Sequence, residues 1–215
     1  RSYWGRTPQD RSDPLFNFFQ IPANSSFMIA KFNRAKFTFF GAEWPYYARN
    51  VSEYEGALDR CREWFVFDYQ LDELGNTPAR SFVDANNSKW DAEQRKTYFG
   101  YLNNVYGVFK VIEVESKGEF TILDLEDEKS YRIENKKEVY RLEKGVVLIG
   151  RIFPVDDLYT LSTTSIAITK ELSSTFDRDK EFIEGIDPLD VEGLLKGRED
   201  EAKDLESLEK RLIPF

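Results

Sequence analysis

Along the 215 residues the spacing of apolar positions changes at Val105. Before it, apolar residues recur every three or four positions; after it they alternate. A period of 3.6 marks helices and a period of 2 marks strands, so the pattern predicts an α+β protein. In the first part, Ser52-x-x-Glu55 matches a capping box, in which a hydroxyl and a carboxylate satisfy the free amides of a helix start. Tyr54, Leu58, Cys61 and Phe65 then share one helix face. The helix is expected to run on through "FDYQLDEL" and stop at Gly75-Asn76. Thr77-Pro78 predicts the cap and first turn of a short second helix. Ser88 predicts the start of a third, carrying Trp90, Tyr98, Phe99 and Leu102, with Gly100 as its weak point.

The first fifty residues are aromatic-rich and less regular. "FNFFQIP" ends in a turn at Pro22, and "GAEWPYYARN" reads as a loop around Pro45. Between them, Ile29, Phe32, Lys36 and Phe39 suit a helix begun by Ser25 or Ser26, whereas Phe37 and Phe39 alternate as in a strand.

Beyond Val105 come five β-rich runs: "VYGVFKVIEVE", "EFTILDLE", "KSYRIEN", "GVVLIGRIFPV" and "LYTLSTTSIAI". Turn residues separate them at Ser116-Lys117-Gly118, Glu126-Asp127-Glu128, Lys144-Gly145 and Asp156-Asp157. Short strands with tight connections predict a small five-stranded antiparallel barrel of the SH3 or OB type. Pro154 marks the end or an edge of the fourth run. In the tail, Asp187-Pro188 opens a helix followed by Leu189, Leu194 and Leu195. "REDEAKDLESLEKRL" sets Ala202, Leu205, Leu208 and Leu212 on a narrow apolar stripe that needs a surface to lie on. The expected layout is an aromatic helix-rich region at 1–104, a barrel at 105–170 and an acidic helical tail at 177–215.

Composition narrows the chemistry. With 41% hydrophobic residues and 15% aromatic, the chain is not a wholly disordered one. No apolar run reaches the length of a membrane span, and Arg1 to Asp13 lacks the apolar stretch of a signal peptide. The sequence holds no His, which closes every imidazole route to catalysis or metal binding. The single Cys61 excludes an internal disulfide and a multi-cysteine zinc site. It is read as a buried structural thiol, in keeping with a reducing cytoplasm. The sequons at Asn24, Asn50 and Asn86 are short enough to arise by chance and carry no weight.

Charge is uneven. Residues 1–50 hold seven basic and three acidic residues, 51–176 sixteen and twenty-three, and 177–215 seven and thirteen. The total of −9 argues against nucleic-acid binding through the general field. Locally, Lys31, Arg34 and Lys36 interleave with Phe32, Phe37, Phe39 and Phe40, the ingredients of a stacking platform with phosphate contacts.

Two carboxylate groups invite a metal or acid–base reading: Glu63, Asp68, Asp72 and Glu73 among aromatics, and Asp124 with Glu126, Asp127 and Glu128. The second group is read instead as a solvated hairpin turn. Asp68 is read as half of a structural salt bridge with Arg62 or Arg80. No phosphate-cradling glycine loop is present. No catalytic, cofactor-binding or metal-binding residue is therefore assigned, and no cofactor is expected. Trp64, Phe65, Phe67, Asp68 and Tyr69 are expected to form a hydrophobic joint between the helical part and the barrel. The residues expected to bind a partner are Lys31, Phe32, Arg34, Lys36, Leu205, Leu208 and Leu212.

The block "EWFVFDY" (Glu63 to Tyr69), the Gly75-x-Thr77 turn, the Leu123–Leu125 turn and the strand signature Gly145, Leu148, Arg151 and Pro154 resemble a poorly characterised group of bacterial proteins. The resemblance covers about residues 60–170. Some members of that group end in a SEC-C motif, a cysteine-rich zinc hook similar to the one on the SecA tail that contacts SecB and ribosomes. This sequence has no such hook, so neither zinc nor that contact carries over. The resemblance implies the two-part layout and no activity. The sequence thus points to a cytoplasmic, non-enzymatic protein-interaction module with no membrane contact, with the barrel and the C-terminal stripe as its contact surfaces. Nucleic-acid or ribosome association through the basic aromatic arm comes second, and a carboxylate-dependent metal hydrolase third.

Overall fold

Two units divide the chain, residues 1–102 and 103–215. The computed structural model describes residues 14–42, 44–45, 48–115, 119–134, 142–168, 186–197 and 212–214. The first unit is helical: α1 (Pro14–Gln20), α2 (Ser26–Phe40), α3 (Val51–Phe67), α4 (Pro78–Asn86) and α5 (Ala92–Tyr101), with single 3-10 turns at Ile21–Ala23 and Asn87–Lys89.

Local capping chemistry sets these boundaries. Ser25 accepts the Met28 amide and opens α2, a cap worth about 1 kcal/mol. Gly41 closes the same helix in the left-handed region, at φ 68°, where a side chain would be strained. This settles the ambiguous stretch as helix. Thr77 and Pro78 begin α4 as expected.

Three expectations shift. The α3 cap is Asn50, two residues before Ser52; its side chain accepts the Glu53 amide, while Glu53 accepts the Arg49 amide at 2.9 Å. The start of α5 moves from Ser88 to Asp91, whose capping box with Gln94 is complete. Finally, α3 ends at Phe67 and not at Gly75. The Asp72 carboxylate accepts the amides of Leu74 and Asn76 and the side-chain amide of Asn76, which offers that backbone a turn in place of a helix. The short α1 lies in a region expected to be irregular.

Aromatic rings hold the helical unit together, with α3 between two groups. On one side Phe32 and Phe39 of α2 meet Phe65 and Trp64 at centroid distances of 5.1 and 5.2 Å. On the other, Phe18 of α1 touches Phe67, Phe82, Tyr98 and Tyr101 at 5.3 to 6.1 Å. Such tilted and edge-on pairs each add about 0.5–1.5 kcal/mol beyond area burial.

The second unit contains β1 (Val105–Val114), β2 (Phe120–Asp124), β3 (Ser130–Ile133), β4 (Val147–Val155), β5 (Leu158–Leu161), β6 (Ile166–Ile168), α6 (Pro188–Gly197) and β7 (Leu212–Pro214). Strands β1-β2-β3-β5-β4 form a ring closed by the β1–β4 pairing, and β6 and β7 extend from β4. The protein is therefore α+β with a small five-stranded barrel.

Its strands are not all antiparallel: β3 and β5 run parallel, joined where the Glu134 amide donates to the Tyr159 carbonyl at 2.7 Å. The reason is topological. Directions cannot alternate all the way round a ring with an odd number of strands, so one seam must be parallel. The fifth run also divides into β5 and β6, because the turn at residues 162–165 moves the chain to the other half of β4. Leu212, expected on the helical stripe, instead lies in β7, opposite Ile168.

Strand β4 pairs with β1 along one edge and with β6 and then β5 along the other. Alternate residues divide between two cores. Leu148 and Ile152 join Phe109, Val111, Phe120, Ile122, Tyr131 and Ile133 inside the barrel. Val147 and Ile149 face Val108, Ile166 and Ile168, together with Ile186 and Val191 at α6. Burial on both faces explains why "VVLI" is continuously apolar where a half-exposed strand would alternate. Pro154 is tolerated because its partner Tyr159 lies one step from the hairpin-closing pair Val155–Leu158, a place where antiparallel strands exchange no bond.

A close approach marks the place where the chain enters β6 beside β4. A Cβ at Gly150 would lie 2.1 Å from the Ser165 Oγ and 2.8 Å from its Cα, so only glycine fits. Gly150→Ala should therefore destabilise the β unit by about 1–3 kcal/mol. Ser165→Ala should leave its stability unchanged or raised, since the buried Ser165 Oγ has no hydrogen-bond partner among the described residues. Far-UV circular dichroism during urea unfolding measures both. No tryptophan lies in residues 103–215, so tryptophan fluorescence reports the helical unit separately.

Candidate interaction surface

Helix α2 carries Lys31, Arg34 and Lys36 and no acidic residue. It belongs to a unit with thirteen basic and thirteen acidic residues, whereas residues 103–215 hold seventeen and twenty-six. The inner face of α2 is Met28, Phe32, Ala35 and Phe39, all buried or half-buried. Its outer face is Phe27, Ala30, Arg34 and Phe37, all exposed, with Phe27 at 57% and Phe37 at 54%. Ten residues separate these two rings, about 15 Å along the axis.

The expected binding residues divide between the two sides of α2. Arg34 lies on the outer face, and Lys31 borders it with its ammonium 5.5 Å from the Phe27 ring centre. Lys36 is about 200° round the helix from Arg34, above Trp44 at 4.9 Å and Phe32 at 5.8 Å. Phe32 itself packs on Phe65, and Phe39 and Phe40 are buried. The three cations therefore do not converge. Sequence reasoning passed over Phe27, whose i, i+4 spacing to Lys31 was the available signal. Leu205 and Leu208 lie outside the described residues, and Leu212 is described only as part of β7.

The proposed joint residues sit among rings of their own unit. Trp64 packs on Phe39 and Tyr69, Phe65 on Phe32 and Tyr69, and Phe67 on Phe18. Asp68 forms the C-terminal cap of α3. The arginines expected beside it each hold another carboxylate: Arg62 pairs with Asp59 at 2.7 Å and Arg80 with Asp84 at 3.0 Å.

The carboxylates do not gather. In the β2–β3 turn, Asp124 is buried and accepts the Glu126 amide at 2.9 Å, and burial is the main cause raising its pKa. Its turn neighbours Glu126, Asp127 and Glu128 are exposed. Among the described residues, no three His, Cys, Asp or Glu stand close enough to hold a metal ion. Cys61 is fully buried on α3, and burial pushes its thiol well above the ordinary value, so it stays protonated at neutral pH.

Arg151 and Glu192 were not anticipated as buried charges. Arg151 on β4 donates to the Asn104 side chain and lies 5.2 Å from the Tyr106 ring centre. Glu192 on α6 is almost fully buried next to Val191, and desolvation raises its pKa well above the usual carboxylate range. Among the described residues, no helix is long and apolar enough to cross a membrane.

Residues 46–187 match DUF7986, a family of unknown function, and the chain belongs to that family. No curated protein and no solved structure matches it.

Burial of Glu192 fixes the sign of a pH effect. Its folded pKa lies above its unfolded one, so the native state holds the proton more tightly. The associated stability is complete below the unfolded value of about 4.5 and is lost as pH rises toward the folded one. Glu192→Gln should therefore stabilise the β unit more at about pH 8 than at about pH 4. Thermal melts followed by circular dichroism at both values test this; an equal shift at each would refute it.

Proposed function

We propose that this DUF7986 member is a non-enzymatic interaction module whose contact surface is the outer face of α2. One observation carries the reading: Phe27 and Phe37 stand more than half exposed on either side of Arg34, on a helix without a carboxylate. Apolar rings held in water cost free energy that a partner can recover, on the order of 25 cal/mol per Å² covered. Phenylalanine and arginine side chains are also enriched at protein interfaces. The buried, protonated Cys61 supports a role without thiol chemistry. An intracellular setting and a protein partner fit this reading.

Nucleic-acid or ribosome association through the same arm is the second reading. It draws on Lys31 and Arg34 beside exposed rings, but Lys36 lies on the opposite side of the helix. A strand-binding groove uses a continuous cationic track.

A photo-crosslinking phenylalanine analogue in place of Phe37, or of Phe27, tests the proposal in native lysate. A discrete adduct is expected from each of these sites. None is expected from the same analogue at Val51 of α3, which is 73% exposed but lies off this face. Equal labelling from all three positions, or none from α2, would overturn the assignment.

A further inference from the structure

We propose that the outer face of α2 docks an acidic amphipathic helix of a partner protein. This rests on the interaction reading above and names the chemistry of the partner. Phe27, Ala30, Arg34 and Phe37 are spaced three, four and three residues apart, the spacing of a helix–helix seam. The inner face of the same helix, Met28, Phe32, Ala35 and Phe39, is spaced four, three and four and packs on the helical unit's core. One helix thus presents two seams, of which the outer is exposed.

Side-chain sizes suit a second helix. Exposed Ala30 lets a partner backbone come close, and Phe27 and Phe37 provide large side chains at either end. Arg34 lies between them, so a covering helix must bring a carboxylate to it or bury an uncompensated charge. Lys31, one turn away, supplies a second cation at the edge. Among the described residues, neither forms an ion pair with a carboxylate, although Asp72 lies close enough to feel the charge of Lys31. The required charge is negative, and α2 has none of its own. A convex face with two cations fits a helix better than a nucleic-acid strand, whose phosphates repeat along its whole length.

The test uses the full chain and three fluorescent probes. One is a synthetic helical peptide with leucine in its seam and glutamate beside it. The second is its twin with lysine for glutamate, and the third is a mixed-sequence single-stranded oligonucleotide. Anisotropy titration should show the glutamate peptide binding at least about tenfold more tightly than its twin, a difference of ~1.4 kcal/mol. Arg34→Glu should reverse that order. Phe37→Ala should weaken the glutamate peptide about tenfold while leaving the tryptophan-monitored melt unchanged. Equal binding of the twins, an unaltered order in Arg34→Glu, or binding of the oligonucleotide alone would overturn the proposal. Crosslinking at Phe37 without glutamate preference would sink the acidic helix and leave the interaction surface standing. Loss of both would remove the two together.

Discussion

Strand β4 has to satisfy hydrogen bonds on both edges while being buried on both faces, and the architecture of the second unit follows from that. Its first half lies between β1 and β6, its second half beside β5. Side chains pointing one way fill the barrel, and those pointing the other way meet Ile166 and Ile168 together with Ile186 and Val191. A buried backbone amide without a partner costs roughly as much as a lost hydrogen bond, so neighbouring strands must stay in register along the length they cover. Gly150 is where this constraint is tightest, because the Ser165 side chain and its Cα occupy the place of a Cβ.

The helical unit is organised differently. Its specificity resides in side-chain shape, with rings on α1, α2, α4 and α5 set around the C-terminal half of α3. Glu63 to Phe67 are consecutive buried residues, so that end of α3 is enclosed on every side. Helix α2 turns part of its aromatic content outward. Its aromatic content exceeds what the core takes up, and the surplus is exposed beside its cations. The neutral charge balance of this unit, against −9 in residues 103–215, gives the small basic helix a local weight that the whole-chain total conceals.

Much of the chemistry that the residue types alone suggest is dispersed by the fold. Asp124 turns inward while Glu126, Asp127 and Glu128 remain in solvent, so one acidic run occupies two environments. Cys61 is fully buried. Asp59 pairs with Arg62, and Arg151 joins Asn104. The buried charges of known partner thus serve local packing, and on α2 the exposed features are apolar and cationic.

The sequence by itself determined the elements whose signals are local. The shift in period at Val105, the Thr77-Pro78 opening of α4, and the turns at Lys144-Gly145 and Asp156-Asp157 depend on neighbours a few residues away, and each is present in the structure. Where two local signals competed, the sequence could not rank them. Asn50 outcompeted Ser52, Asp91 outcompeted Ser88, and where periodicity would have continued α3 the chain caps at Asp68 and the Asp72 carboxylate holds a turn. Lys31 and Arg34 were legible as candidates, but not that they stand apart from Lys36, because helix and strand readings of the same stretch place them differently. Tertiary structure alone decided which ring of α2 is covered, which acid is buried and which seam is parallel. Those outcomes depend on what lies across space from a residue: Phe65 opposite Phe32, Ser165 over Gly150, and an odd number of strands meeting in a ring.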